Sequence, residues 1–279
     1  MELVTGTVTS LDEIKCSVAS DKTQGGVALP SRTEVVNVII DLQSLLFPGF
    51  FDRSTGSENV ISQTGLLLNI CHRLSDQISG AFAFSGAEPP ESAEELCKKF
   101  ISRLPEVKKL LIKDVQALYE GDPAAKCMEE VLLCYPGYYA ISVYRLAHEL
   151  YTLNIPLIPR IMTEYAHQKT GVDIHAGAKI GEYFFIDHGT GIVIGETTTI
   201  GNHVKLYQGV TLGAKSFELD ADGNPVKNIK RHPDIGNNVV IYANATILGG
   251  STQIGDNCVI GGNTWLTHSV EAGTMVKGQ

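Results

Sequence analysis

Aliphatic residues return at every sixth position along residues 171–267, often followed by Gly, with small or polar residues between them. The repeating positions are Ile174, Ile180, Ile186, Ile194, Ile200, Leu206, Leu212, Ile235, Ile241, Ile247, Ile254, Ile260 and Leu266. A six-residue period matches neither the 3.6-residue turn of a helix nor the two-residue alternation of a flat sheet. It predicts short strands coiled into a triangular prism, with each hexad forming one side and each aliphatic side chain pointing to the axis.

The period is interrupted at three places. The step from Ile186 to Ile194 is eight residues, and the step from Ile247 to Ile254 is seven. The largest interruption, residues 214–234, is polar and charged and supplies no axis residues. We expect it to be a loop that leaves the prism, and long loops on rigid scaffolds commonly carry function.

A helical pattern precedes the prism. Ser31 and Glu34 have the spacing of a capping box ahead of an apolar face, and apolar-periodic runs continue to about residue 167. Pro105 is expected to open a new helix, and Asp122-Pro123 predicts another helix start. The predicted domains are a poorly ordered arm at 1–30, an all-α domain at 31–170 and a coiled β domain at 171–279 with the loop 214–234.

Composition narrows the function classes. The 279 residues are 43% hydrophobic and 19% charged, as in an ordinary globular protein, and the net charge of −9 argues against nucleic acid or anionic membrane as a partner. We find no apolar run that could span a bilayer and no signal-peptide layout. The six scattered cysteines then predict a cytoplasmic protein with reduced thiols.

Polar residues that the prism does not need mark the expected chemistry. Asp187 and His188 are adjacent at the first interruption of the period, and a neutral imidazole is a natural general base. Asp173 lies about two hexads earlier, from where a carboxylate could accept the imidazole N–H and fix the tautomer. Arg231 and His232 close the long loop, and Arg can bind a carboxylate through two parallel hydrogen bonds.

At these positions the sequence resembles the serine acetyltransferase family, whose members are hexapeptide-repeat enzymes. The matching strings are Asp173-Ile174-His175, residues 186–196 (IDHGTGIVIGE), residues 208–213 (QGVTLG) and Arg231-His232-Pro233. The resemblance covers about residues 113–267 and includes Asp122-Pro123-Ala124. It implies an α+β fold in which the helical domain is followed by a left-handed parallel β-helix.

The resemblance also implies an activity, the transfer of an acetyl group from acetyl-CoA to the hydroxyl of L-serine, which is the first step of cysteine biosynthesis from serine. His188 would deprotonate that hydroxyl, with Asp173 as its partner. Asp122 and Asp187 would hold the substrate ammonium group. Arg231 and His232 would bind the substrate carboxylate.

Acetyl transfer is expected to be direct, because no Cys or Ser accompanies His188 in a nucleophile-base arrangement. A backbone N–H at Gly213-Ala214 is the expected donor to the oxyanion. By resemblance, the residues that contact CoA are Gly213, Ala214, Ala243 and Gly262. No metal is expected to take part.

The resemblance further implies a homotrimer, which in the family is often joined into a dimer of trimers, and feedback inhibition by L-cysteine. The given sequence ends in Val276-Lys277-Gly278-Gln279 without the family's Ile-ending tail, so assembly with O-acetylserine sulfhydrylase is left unsupported.

Three alternatives remain at this point. A hexapeptide acetyltransferase acting on a sugar or antibiotic hydroxyl would use a similar His and acetyl-CoA groove, but would not need Asp122 and Arg231 for a zwitterion. A γ-type carbonic anhydrase would need three convergent histidines for Zn²⁺. A non-catalytic trimeric scaffold would tolerate loss of His188.

Overall fold

The fold was obtained as a computed structural model that describes residues 29–51 and 60–278, together with Thr7. Most of the predicted N-terminal arm, residues 1–30, therefore lies outside the described residues. No helix in the described ranges is long and apolar enough to cross a membrane. Five cysteines in these ranges carry free thiols, namely Cys71, Cys97, Cys127, Cys134 and Cys258.

Helices occupy the first part of the described chain. They are α1 (Arg32–Leu46), α2 (Val60–Ser85), α3 (Ala93–Gly121), α4 (Met128–Cys134), α5 (Pro136–Thr152) and α6 (Ile158–Thr170). The predicted start of α1 is confirmed, because Ser31 is its N-cap and its hydroxyl accepts the Glu34 N–H at 3.3 Å.

The predicted break at Pro105 is wrong, because α3 continues through it. The helix continues because its buried residues keep helical spacing on both sides of the proline, so tertiary packing favours one uninterrupted helix. Its members are Leu96, Phe100, Leu104, Val107, Leu111, Val115 and Leu118. The predicted helix start at Asp122-Pro123 is also wrong, since Asp122 is the C-cap of α3 and the next helix begins at Met128.

Short strands follow the last helix, and every strand pairing is parallel. They are β1 (Asp173–Ile174), β2 (Lys179–Ile180), β3 (Phe185–Ile186), β4 (Val193–Ile194), β5 (Thr199–Ile200), β6 (Lys205–Leu206), β7 (Thr211–Gly213), β8 (Asp234–Ile235), β9 (Val240–Ile241), β10 (Thr246–Leu248), β11 (Gln253–Ile254), β12 (Val259–Ile260), β13 (Trp265–Leu266) and β14 (Met275–Val276).

The strands form three sheets that make the three sides of a prism. The first sheet has the order β1-β4-β7-β10-β13, the second β2-β5-β8-β11 and the third β3-β6-β9-β12-β14. Strand pairing places one aliphatic residue above another, as in the column Ile174, Ile194, Leu212, Ile247 and Leu266, which is buried throughout. The predicted axis residues and the fold class, helices followed by a left-handed parallel β-helix, are confirmed.

Two of the predicted interruptions become local structures at the prism edges. Residues 187–192 bulge between β3 and β4, where His188, Gly189 and Gly191 all have positive φ. Residues 214–233 leave the prism between β7 and β8 and contain a small antiparallel hairpin at the Leu219–Pro225 bridge. Both interruptions carry residues that the sequence marked for chemistry.

The helices and the prism share one continuous hydrophobic core. A buried ion pair lies where they meet, since the Arg145 guanidinium of α5 binds both oxygens of Asp114 in α3, at 2.6 and 2.9 Å. Arg145 also donates to the carbonyls of Ile180 and Gly181, and the Phe184 N–H donates to Asp114. The helical part is thereby held against the coil that leads into β3.

Candidate active site

The first group of polar side chains lies along the prism edge between the third and first sheets. We call it the acidic corner and define it as Asp122, Tyr135, Asp187, His188 and Tyr207. His188 occupies the bulge with φ 56°, a conformation that non-glycine residues seldom adopt, and its side chain is 70% exposed. Its Nδ1 lies 3.7 Å from Oδ1 of Asp187. An exposed imidazole beside a carboxylate is available to a substrate.

The helical part of the chain supplies Asp122 to this corner. Its Oδ1 accepts the Ala124 N–H at 2.8 Å, and its Oδ2 accepts the Tyr135 hydroxyl at 2.5 Å. These two hydrogen bonds, from Tyr135 first, lower the pKa of Asp122, and the nearby His188 acts in the same direction. Asp122 therefore remains an oriented carboxylate near His188.

Tyrosines line the rest of the acidic corner. The hydrogen bond to Asp122 and then burial, with a smaller part from the charge of Asp187, together raise the pKa of Tyr135 to about 12. Burial raises the pKa of Tyr207, and the neighbouring Tyr242 and then the charges of Asp187 and Asp122 add to it. Tyr207 stacks on Tyr242 of the next coil with ring centroids 5.1 Å apart. Both phenols therefore stay protonated near the two carboxylates.

Glycines allow the helices to approach this edge closely. A Cβ on Gly137 would lie 2.6 Å from the Ile186 carbonyl, and a Cβ on Gly121 would lie 2.5 Å from the Phe185 ring. The segments that carry Tyr135 and Asp122 are consequently packed directly against β3. This contact brings helical residues to the bulge that carries His188.

The second group lies along the edge between the first and second sheets, at the residues that end the long loop. We call it the basic corner and define it as Tyr151, Glu196, Thr197, Arg231 and His232. Arg231 Nη2 donates to Glu196 Oε2 at 2.5 Å, and the Tyr151 hydroxyl donates to Glu196 Oε1 at 2.9 Å. Burial opposes ionisation of Glu196, but these two hydrogen bonds outweigh it and lower the pKa. The Arg231 side chain is thus held by a carboxylate of its own chain.

His232 is buried and its tautomer can be assigned from its contacts. Its Nδ1 lies 3.1 Å from the Thr197 backbone N, which can only donate, so Nδ1 is the acceptor. Burial first, and then the positive charge of Arg231, lower the pKa of His232 to about 4. At neutral pH the ring is therefore neutral, with its proton on Nε2. Gly195 is required beneath it, since a Cβ there would lie 2.1 Å from the His232 ring.

A groove of about 780 Å³ runs beside the basic corner. It lies between Glu196 and Arg231 on one side and the hairpin of the long loop on the other, with Phe217 and Pro225 among its lining residues. The loop thus forms a wall next to Arg231.

The structure places the predicted CoA contacts on the same two edges. Ala243 and Gly262 are neighbours in successive coils on the edge of the acidic corner, because a Cβ on Gly262 would lie 3.1 Å from the Ala243 carbonyl. Gly213 ends β7, and Ala214 begins the long loop on the edge of the basic corner. Each edge therefore carries some of the residues predicted to bind serine and some of those predicted to bind CoA. The two corners themselves occupy different edges of one chain, so a single chain does not bring His188 and Arg231 together.

Asp173 lies beside α6. Its carboxylate forms a group with Glu164 and His167 in which the ligand atoms lie within 4.8 Å of one another. Glu164 is also paired with Arg160, at 2.5 Å. Within the described ranges, the carboxylate found within 4.0 Å of His188 is that of Asp187, so the pairing of Asp173 with His188 stays a prediction.

The Glu164, His167 and Asp173 group is also the arrangement that could hold a cation. It is the one candidate metal site found among the described residues, and it contains a single histidine. A carbonic-anhydrase site would need three histidines around Zn²⁺. The donor set therefore does not fit that alternative.

Sequence reasoning assigned no role to five residues of these corners, namely Tyr135, Tyr151, Glu196, Thr197 and Tyr207. Glu196 and Thr197 follow the Ile194-Gly195 repeat directly, and Tyr135 precedes Pro136-Gly137. The role of Glu196 as the ion-pair partner of Arg231 is visible only in the folded structure, where the long loop brings the two side chains together. Such contacts between distant positions have no local signal in a single sequence.

Comparisons with known proteins were made for the sequence and for the fold. A family model described as serine acetyltransferase, N-terminal, matches residues 54–143. The chain is 48% identical over 261 residues to a plasmid-encoded serine acetyltransferase of Synechococcus elongatus, covering 89% of this chain and 82% of that protein.

Two solved structures are similar to the fold. Serine acetyltransferase 1 of Entamoeba histolytica in complex with L-cysteine has a TM-score of 0.77 and 35% identity, and the match covers 85% of each chain. A serine acetyltransferase in complex with CoA has a TM-score of 0.58 and 27% identity, covering 88% of this chain and 98% of that one.

Proposed function

The chain belongs to the serine acetyltransferase family and is an acyltransferase, and on this premise we propose that it transfers the acetyl group of acetyl-CoA to the hydroxyl of L-serine. The products are O-acetyl-L-serine and CoA, in the first step of cysteine biosynthesis from serine. The observation that carries the proposal is the pair of corners of opposite character. L-serine is a zwitterion, so it needs a carboxylate-rich site at one end and hydrogen-bond donors with positive charge at the other.

The two corners form one complete site only where two copies of the chain meet. The acidic corner and the basic corner lie on different edges of the same prism. In a cyclic trimer, an edge of one copy faces a different edge of the next copy, because such interfaces are heterologous. We therefore assign the chain to a homotrimer with three sites between copies, and two trimers can join through the helices.

At the acidic corner, Asp122 and Asp187 bind the serine ammonium group. Asp122 is fixed by two hydrogen bonds before the substrate arrives. A preoriented carboxylate loses little freedom when it binds a cation. Asp187 lies next to His188, so the same ammonium group is held near the proposed base.

At the basic corner of the neighbouring copy, Arg231 and His232 bind the serine carboxylate. Glu196 accepts from Nη2 of Arg231 and the Ile229 carbonyl accepts weakly from Nη1 at 3.4 Å, so Nε–H and the second N–H of each Nη stay available. His232 contributes its Nε2–H as a neutral donor, because its pKa lies near 4 and Nδ1 is engaged by Thr197. The carboxylate is thus bound by one charged and one neutral side chain.

His188 acts as the general base. It removes the proton from serine Oγ as Oγ attacks the carbonyl carbon of acetyl-CoA, and Asp173 orients the protonated imidazole. A backbone N–H at Gly213-Ala214 stabilises the resulting oxyanion. The C–S bond then breaks, and the proton held by His188 passes to the CoA thiolate. The new O–C bond and the thiol complete the reaction without an acyl-enzyme.

Acetyl-CoA lies along the prism between copies, against Ala243 and Gly262 on one edge and Gly213 and Ala214 on the other. The small side chains permit an extended pantetheine arm to approach the backbone. The complex of a similar serine acetyltransferase with CoA supports acetyl-CoA as the co-substrate. The L-cysteine complex of the Entamoeba histolytica protein supports L-cysteine as a second ligand, and we assign it to the serine site as a feedback inhibitor.

The test is release of thiol from acetyl-CoA at neutral pH with L-serine as acceptor, with homoserine and a galactoside as alternatives. Serine-dependent release is the expected result. Thiol release with the galactoside alone would still agree with a β-helix acyltransferase, but it would contradict a site that binds the ammonium and carboxylate groups of serine. If no acceptor produced thiol, the proposed reaction would be wrong.

A further inference from the structure

Tyr135 connects the helical part of the chain to the acidic corner. It is the N-cap of α5 and precedes Pro136 and Gly137, the latter packed against the Ile186 carbonyl. Its hydroxyl donates to Asp122 Oδ2 at 2.5 Å across 13 residues of sequence. The backbone position is therefore set by contact with β3, and the phenol reaches outward from it to Asp122.

The helix itself does not require this hydrogen bond. Tyr135 caps α5 through its backbone, and its side chain makes no capping hydrogen bond. Asp122, in turn, needs only its Oδ1 for the turn that follows α3, where it accepts the Ala124 N–H at 2.8 Å. The Tyr135 hydroxyl thus acts on the oxygen of Asp122 that the local turn leaves free.

We infer that Tyr135 is a positioning residue for serine binding, which holds the Asp122 carboxylate in the orientation that receives the substrate ammonium group. This inference rests on the proposed function and adds a residue to it. With Oδ1 bound by the backbone and Oδ2 by the phenol, the carboxylate plane cannot rotate. Its remaining lone pairs then keep one direction relative to Asp187 and His188.

The hydrogen bond has a second consequence for the same carboxylate. Donation from Tyr135 favours the ionised form of Asp122. Removing the phenol hydroxyl should raise the pKa of Asp122 toward its ordinary value. Serine binding should then weaken at a higher pH than in the unchanged protein, because the protonated acid does not attract an ammonium group.

The experiment replaces Tyr135 by Phe in the full chain and measures steady-state kinetics for both substrates. Loss of one hydrogen bond to a charged group predicts a rise of about tenfold in the KM for serine. The KM for acetyl-CoA and the kcat at saturating serine should change by less than about twofold, since neither His188 nor the CoA contacts are altered. The acid limb of the serine KM profile should move to higher pH.

Tyr139→Phe is the matched control. It removes the same hydroxyl from the same helix, but that phenol interacts with Tyr165 of α6. Its serine KM should remain unchanged. Equilibrium binding of serine to the folded Tyr135→Phe protein is the second measurement, and it should show the same loss of affinity even if the variant folds in lower yield.

A double-mutant cycle with Asp122→Asn tests the positioning role of Tyr135 separately from the proposed ammonium site at Asp122. Asp122→Asn should raise the serine KM, and adding Tyr135→Phe to that variant should change it by less than about twofold. If Asp122→Asn weakens serine binding while Tyr135→Phe does not, the positioning role is wrong and the ammonium site stands. If neither variant alters the serine KM, the ammonium site itself is wrong. Equal losses for both substrates, together with a lower unfolding temperature, would make Tyr135 merely structural.

Discussion

The two corners differ in how much of their charge is already balanced within one chain. At the basic corner, Arg231 is paired with Glu196, and the neighbouring histidine is buried and neutral. At the acidic corner, Asp122 and Asp187 share a single exposed imidazole 3.7 Å from Asp187. The basic corner is thus prearranged with little net charge, whereas the acidic corner keeps an excess of negative charge.

This difference suggests a division of labour in binding a zwitterion. The unbalanced carboxylates can attract an ammonium group electrostatically, since no cation among the described residues neutralises both. The basic corner contributes geometry, because two preoriented donors receive a carboxylate without rearranging. In this division, the acidic corner attracts the ammonium group and carries the proposed base. The basic corner fixes the orientation of serine.

Removing the proposed base, His188, should produce the largest effect. His188→Ala is expected to lower kcat by about a thousandfold, within the range of general acid–base catalysis. The His188 side chain is exposed within its own chain, so folding of the chain should not depend on it, and light scattering checks that the trimer still forms. Near-normal turnover in a correctly assembled variant would remove His188 from the mechanism and favour a non-catalytic scaffold.

Mixing variants tests whether the two corners act across copies. Arg231→Ala should raise the KM for serine by about a hundredfold, through loss of a charge-assisted contact, with little effect on acetyl-CoA. Random trimers of His188→Ala and Arg231→Ala chains, refolded together and assayed at low serine, should contain intact sites at about one interface in four.

Activity approaching a quarter of the normal value would then be recovered from two inactive proteins. Each variant refolded alone is the control. No recovery in demonstrably mixed trimers would mean that both corners act within one chain, against the topology.

The buried histidine of the basic corner predicts a pH effect on stability. Its pKa is lowered to about 4 in the folded protein, below the ordinary value near 6.5. Only the unfolded chain binds the proton between these values, so the free energy of unfolding should fall as the pH decreases from about 6.5 to about 4, and by about 3 kcal/mol from this group. Above that window the group has no effect.

Urea unfolding across this range measures the loss. His232→Gln should flatten the pH dependence by a similar amount. An unchanged slope in the variant would show that the acid instability arises from other groups.

The smallest effect should come from the ion pair at the basic corner. Glu196→Gln keeps the shape and the Tyr151 contact but removes the charge beside Arg231, and a rise of about tenfold in the serine KM is expected from less accurate positioning of the guanidinium group. Tyr151→Phe, which leaves the Glu196 charge in place, is the comparison and should have a weaker effect. A lower serine KM for Glu196→Gln would instead mean that Glu196 competes with the substrate for Arg231.

Particular residues show how far a single sequence leads. The axis residues of the prism were predictable because each hexad repeats the same local requirement for one aliphatic side chain. The helix through Pro105 was not, because burial of the face from Leu96 to Leu118 outweighs the local preference of proline to begin a helix. Asp122 was identified as a site residue by family resemblance, while its position as the C-cap of α3 and its contact with Tyr135 were not.

The repeat along the chain is sufficient to specify a coiled prism, because it controls which side chains face the axis over steps of six residues. The family strings likewise specify an acyltransferase. The assignment of each charged residue to an edge, the protonation of His232 and the pairs Tyr135–Asp122 and Glu196–Arg231 depend on how helices and coils close against one another. Tyr135 and Asp122 are 13 positions apart in the sequence, and Glu196 and Arg231 are 35 positions apart. Such separations follow no sequence period, because packing of the folded chain decides which residues meet.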